Sequence, residues 1–185
     1  MTDAPSRTLS PTGRRHAILA ARARRLARPR SAAEPVASIN CLVCEAGGQL
    51  FGLPLIRMVR VVPDTRAAYV PTSNPALLGV TSRGGVFYQV YDLARLAAAG
   101  PGNADGHVVL LRGTPAKALR VDRALRVADV VTLASGDAPP MQAGQSVVSG
   151  FARALQADLF EGRIISLIDP DKIAPDNAPG HVEGD

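Results

Sequence analysis

From Val36 onward the sequence consists of short apolar runs of Val, Leu, Ile, Phe and Tyr, broken every few residues by Gly, Pro or Asn. An amphipathic helix needs an apolar stripe that returns every three or four residues over three turns or so. These runs are too short and too rich in β-branched residues for that, and they read as strands and turns. Residues 39–45 form the first strand, Gly47-Gly48 supplies the positive φ of a tight hairpin, and residues 49–53 return. Further strands fall at 58–62, 77–81, 86–91, 108–112, 117–122, 125–133, 147–154 and 163–168. Many short strands at this spacing point to an all-β barrel or sandwich with minor helices. Helical turns are expected at 93–98 and 170–173, and surface loops at 100–106 and at 135–145, where Pro139-Pro140 sits.

A chain of 185 residues accommodates one domain of ordinary size, or two small subdomains, together with a tail. No apolar run approaches the roughly 20 residues that cross a bilayer, and the N-terminus lacks the apolar stretch of a secretory signal. The expected location is cytoplasmic, where Cys41 and Cys44 stay reduced.

The net charge of +5 belongs to one end of the chain. Residues 1–35 carry eight arginines against Asp3 and Glu34, a net of +6, while the remaining thirteen basic and fourteen acidic side chains net −1. The organisation expected is therefore a basic arm over 1–35, a folded domain over 36–175 and a disordered tail over 176–185. Within the arm, Ser10-Pro11-Thr12 offers a helix start, residues 13–28 are strong helix formers, and Pro29 stops them. Ile18, Leu19, Arg22 and Leu26 fall near one helical face. The arm is either a solvated, partly frayed extension or a helix that docks on a protein surface; it lacks the aromatic residues that insert into membranes or stack on bases.

Catalytic chemistry is sparse. His16, His107 and His181 are far apart in sequence, so no convergent site is expected from them. Cys41 and Cys44 have C-x-x-C spacing, but they lie in a predicted strand, where positions three apart face opposite sides, and no second Cys or His pair completes a metal shell. They read as core and edge residues. Gly47-Gly48 and Gly84-Gly85 are turn glycines, since neither opens a helix carrying Lys followed by Ser or Thr. Asp169, Asp171 and Asp176 lack the pattern of a calcium loop and read as solvated helix-start carboxylates. No catalytic, metal or cofactor site is expected.

Four blocks between Asn40 and Ile173 resemble the CheW-like adaptors. The first runs from Cys41 to Val62 and contains Gly48-Gln49-Leu50-Phe51-Gly52-Leu53-Pro54-Leu55. The second runs from Pro71 to Leu96, with Asn74-Pro75, Gly79-Val80-Thr81 and Asp92-Leu93. The third, from His107 to Val130, contains Leu119-Arg120-Val121-Asp122. The fourth joins Val148-Ser149-Gly150 to Ile168-Asp169-Pro170-Asp171-Lys172-Ile173. The resemblance implies two five-stranded, SH3-like β-barrel subdomains around a shared core. It also implies a non-catalytic scaffold that binds the regulatory domain of a CheA-type histidine kinase and, in a groove, the cytoplasmic tip of a chemoreceptor. No small-molecule substrate is implied, and contact with the membrane runs only through receptors.

At the implied groove this chain departs from the family. Where the family carries Val-x-Glu, the sequence has Met58-Val59-Arg60, an acid replaced by a base. Where the family carries Arg-Gly, an ungapped match places Gly84-Gly85, with Arg83 one residue early. Such a shift sends a strand side chain to the other face unless a turn or bulge intervenes. The groove candidates are Arg60, Arg83, Gly84, Val86 and Tyr88. Alternation puts Tyr88 on the face of Val86 and Val90, and that face is either groove or core. Leu53, Met58, Val61, Gly79, Val90, Val121 and Gly150 are expected to set strand packing and tight turns. The reading that follows is a divergent adaptor matched to its own receptor or kinase. One rival is a nucleic-acid-binding β-barrel whose arm tracks phosphates; it is poorly supplied, because the body is slightly acidic and only 4% of residues are aromatic. Another is a small hydrolase using Ser82, Ser149 and His107, which nothing in the sequence brings together.

Overall fold

A computed structural model describes residues 37–63, 67–103, 106–141, 144–156 and 158–173. The arm over 1–35, the tail over 176–185, His16, His181 and Asp176 lie outside the described residues. Ten strands are present among them: β1 (Ser38–Ala46), β2 (Gln49–Pro54), β3 (Met58–Pro63), β4 (Leu77–Arg83), β5 (Val86–Asp92), β6 (His107–Leu111), β7 (Lys117–Val121), β8 (Arg123–Thr132), β9 (Val148–Ala154) and β10 (Ile165–Ile168). One short helix, α1 (Leu93–Leu96), follows β5, and 3-10 turns occupy Leu55–Arg57, Leu159–Gly162 and Pro170–Lys172. The helix is shorter than the turn expected over 93–98, because Ala98 swings to φ 49 and ends it in the left-handed conformation typical of helix stops.

The strands form two five-stranded modules, as the resemblance implied. In the first, β1-β2-β10-β9-β8 closes into a barrel. The second has the hydrogen-bonded order β3-β6-β7-β5-β4 and is inserted in the chain between β2 and β8. Its terminal strands β3 and β4 do not pair with each other. Instead Ala68 reaches the free edge of β4 as an isolated bridge, with Ala68 N donating to Val80 O at 2.7 Å and Val80 N to Ala68 O at 2.9 Å. Gly79 makes this approach possible: it sits at φ 141, and a Cβ there would lie 2.1 Å from the Ala68 carbonyl oxygen.

Alternation along the strands fills three apolar clusters. On β1, Cys41 and Val43 point into the barrel with Leu50, Val130 and Ile165. On the opposite face of β1, Leu42, Cys44 and Ala46 join Phe51, Tyr91 and Leu119 in a core supplied by both modules. β6 behaves likewise: Val108 and Leu110 pack inside the second module with Tyr88 and Val90, while Val109 and Leu111 face the shared core. Strands buried on both faces need continuous apolar runs, which is why 41–44 reads Cys-Leu-Val-Cys and 108–111 reads Val-Val-Leu-Leu. Leu53, Met58, Val90 and Val121 are buried as expected, and Val61 packs against the shared core half-exposed. Gly150 is not a tight position: it lies within β9, and a Cβ there would meet nothing within 4 Å.

Two carboxylates fix the connections around this core. The Asp122 carboxylate accepts from Gly47 N at 2.8 Å and from Asn103 N at 2.5 Å, and Asp122 N donates to Glu45 O at 2.8 Å. It thereby joins the β1–β2 turn to the loop that precedes β6. Gly47 must be glycine, because its φ is 55 and a Cβ would lie 2.4 Å from Gly100 O. Asp92 is buried; it accepts from Arg95 N at 3.2 Å to cap α1 and from the Arg120 guanidinium at 3.0 Å.

Both cysteines are buried and free, so Cys41 and Cys44 are core residues in two different clusters, and the edge role expected for one of them does not occur. β1 lies between β2 and β8 in the closed barrel, and its outer face is covered by the shared core, which leaves neither residue at an edge. Burial raises the Cys41 thiol to about 11, and burial together with the Asp122 carboxylate pushes Cys44 further up. Native protein at pH 8 should therefore react with iodoacetamide only as fast as it unfolds, whereas the denatured chain should label at both cysteines immediately. Rapid native labelling would contradict the burial. For the backbone, Gly79→Ala should lower unfolding stability by roughly 3 kcal/mol, through steric overlap and a forbidden φ. Gly84→Ala, at φ 58 with open space around it, should cost only about 1 kcal/mol. Urea denaturation of the two variants measures the contrast.

Candidate protein-docking surface

Four of the five groove candidates lie at the surface, three of them on one hairpin. Gly84 and Gly85, at φ 58 and 79, are the two central residues of the β4–β5 turn, and Arg83 pairs with Val86 in the last register position of the strands. Both angles are positive, as a type I′ turn requires, so this glycine pair is selected by hairpin geometry. The register is continuous from Gly79 to Arg83. No bulge redirects Arg83, which therefore stays on the face of Tyr88 and Val90. Its guanidinium donates only to Ser82 O at 3.4 Å and meets no carboxylate among the described residues.

Tyr88 is not a surface anchor. It is 6% exposed and packs inside the second module, because its pairing with Thr81 sets it on the inner face. Val86 shares that face but lies beyond the end of the packed interior and is 43% exposed. The exposed aromatic of this hairpin is its neighbour Phe87, at 72%. Phe87 alternates with Gln89 and Tyr91; Tyr91 enters the shared core, and its hydroxyl donates to Gln89 Oε1 at 3.0 Å. The face that is core at one end of β5 thus runs out into solvent as Phe87 at the other. Sequence alternation alone did not pick out Phe87. Distance from the glycine turn was the available signal, since residues flanking a two-residue turn project past the layer that covers the rest of the strand.

Arg60 is exposed on β3, just after a register shift between Met58 and Arg60. Strands β6 and β7 lie between it and the hairpin in hydrogen-bonding order, and among the described residues it has no ion-pair partner. The acid and base that the family pattern places at positions 60 and 84 are both absent, and no salt bridge between β3 and the β4–β5 hairpin replaces them. Arg60 stands next to exposed Val59 on β3, and Arg83 next to exposed Val86 and Phe87 at the hairpin, neither guanidinium paired with a carboxylate among the described residues.

A second exposed apolar region surrounds the crossing from the first module to the second. Ile56, 81% exposed, stands beside Pro54, Ile168 and Pro170 over a shallow depression of about 290 Å³, with the Arg57–Asp171 ion pair at its rim. Asp169 caps the adjacent 3-10 turn by accepting from Asp171 N at 3.0 Å, so these carboxylates have structural partners. Among the described residues no group of three or more His, Cys, Asp and Glu is arranged to hold a metal. Ser149 Oγ is engaged with Leu167 O at 3.3 Å, on the first module, while Ser82 and His107 belong to the second. No hydrogen bond connects the three.

No helix among the described residues is long and apolar enough to cross a membrane. No curated protein is matched in sequence. Among solved structures, the chain is similar to the crystal structure of scaffolding protein TtCheW from Thermoanaerobacter tengcongensis, with a TM-score of 0.57 and 18% identity over 77% of this chain and 91% of that one. At that identity the likeness establishes the fold. The sequence model of the CheW-like domain matches residues 40–178, which takes in both modules and most of the chain, and the protein accordingly belongs to the CheW-like domain family.

Proposed function

We propose that the protein is a non-catalytic adaptor of a cytoplasmic chemosensory system, coupling chemoreceptors to a CheA-type histidine kinase through protein–protein contacts. The observation that carries this reading, beyond family membership, is the β4–β5 hairpin: a glycine turn that places Phe87 and Val86 in solvent beside an unpaired Arg83. Exposed aromatic and arginine side chains on a preorganised support are the usual anchors of protein interfaces.

The charge pattern gives the adaptor its selectivity. Arg60 and Arg83 favour a partner surface carrying carboxylates and repel one selected for an acid at position 60. This supports a divergent adaptor matched to its own receptor or kinase, with Arg60, Arg83, Gly84 and Val86 in the contact and Phe87 taking the place first expected for Tyr88.

Calorimetry of the full chain with the regulatory domain of its kinase, and with a receptor cytoplasmic hairpin, tests the reading. Saturable binding to at least one is expected, and Phe87→Ala should weaken it about tenfold without changing stability. Arg60→Glu should shift preference toward partners from unrelated arrays. Absence of binding to both partners would overturn the adaptor reading.

A further inference from the structure

A cavity of about 350 Å³ opens on the first module, away from the β4–β5 hairpin. The β1–β2 turn and the start of β2 form one wall, with Gly48, Gln49 and Leu50, and Pro139 and Pro140 form another. Phe151 and Ile164 supply apolar surface, while Ser166, Gln145 and Arg163 bring polar groups into the same space. This volume lies within the range of small-molecule sites, which combine an apolar lining with a few fixed polar groups.

Three features give the cavity a definite chemistry. Ser166 lies on β10 between Phe51 of β2 and Phe151 of β9, its register partners. It is 7% exposed, and its hydroxyl forms no hydrogen bond with the described residues. The hydroxyl is not sealed off from solvent, and its hydrogen-bonding capacity is available in the cavity that Ser166 lines. Arg163 is exposed and makes one bond, its Nη2 donating to Gly48 O at 3.0 Å, which leaves the other nitrogens of the guanidinium without a partner among the described residues. No Asp or Glu lines the cavity, and Arg163 belongs to no ion pair there. An exposed guanidinium without a counter-charge in the cavity, a hydroxyl donor and an apolar wall of proline and phenylalanine complement one kind of molecule.

We infer that this cavity binds a small organic carboxylate with a compact apolar body. The carboxylate takes the fork of Arg163 and the Ser166 hydroxyl, and the apolar body lies against Phe151, Pro139 and Pro140. The site belongs to the first module alone, so it stands or falls independently of the docking reading of the hairpin.

Phenylacetate is a suitable probe, and phenylacetamide, equal in shape and uncharged, is its comparison. In amide-detected NMR titrations of the full chain, phenylacetate should produce saturable shifts centred on Gly48, Gln49, Arg163 and Ser166, and phenylacetamide should produce none at the same concentrations. Arg163→Gln removes the charge from an exposed position and should weaken binding at least about tenfold while leaving the rest of the spectrum in place. Arg163→Lys keeps the charge without the fork and should restore part of the affinity; Ser166→Ala should weaken it a few-fold. The inference fails if phenylacetate gives no saturable shift up to about 10 mM. It fails equally if the amide binds as well as the acid, or if Arg163→Gln binds phenylacetate unchanged.

Discussion

The structure depends on burying strands on both faces at once. β1 gives Cys41 and Val43 to the barrel interior and Leu42, Cys44 and Ala46 to the core between the modules; β6 makes the same division from the other side. Fully burying one aliphatic side chain contributes about 2 kcal/mol, so the shared cluster holds a large part of the stabilisation available to a domain of this size. Neither module keeps its apolar surface covered without the other. The chain connectivity enforces the same outcome, since the second module leaves the first after β2 and returns to it at β8. Asp122, on the return path, fastens the β1–β2 turn to the loop before β6.

What remains exposed follows from this arrangement. The interior consumes the reactive side chains: both thiols are buried, and the Asp92 carboxylate is occupied in capping α1 and pairing with Arg120. Hairpin tips and crossings extend beyond the shared core, and they carry the exposed apolar side chains Phe87, Val86 and Ile56.

Much of this was legible in the sequence. The ten strands, the glycine pairs at 47–48 and 84–85, and the membership of Leu53, Met58, Val90 and Val121 in the core followed from β-branched runs and turn chemistry. Alternation identifies which side chains share a face, but on a strand buried on both sides it gives no mark of which face is solvent. That is why the sequence alone divides Cys41 and Cys44 between core and edge, and why it does not separate Tyr88 from a groove residue. Phe87 escaped notice because its exposure depends on where the covering layer ends, which is a property of the packed molecule. The seam between β3 and β4, bridged only at Ala68, also depends on a contact between segments that carry no pairing signal of their own. Gly150, matched through the family pattern, has no steric requirement in this backbone.

The most direct test of the account is native-state hydrogen exchange comparing the amides of β1 with those of β6. If the shared core makes the two modules one cooperative unit, the slowest amides of both strands open with the same free energy, equal to that of global unfolding. Exchange of β6 at a distinctly lower free energy, with β1 still protected, would show that the second module opens by itself and would contradict the account.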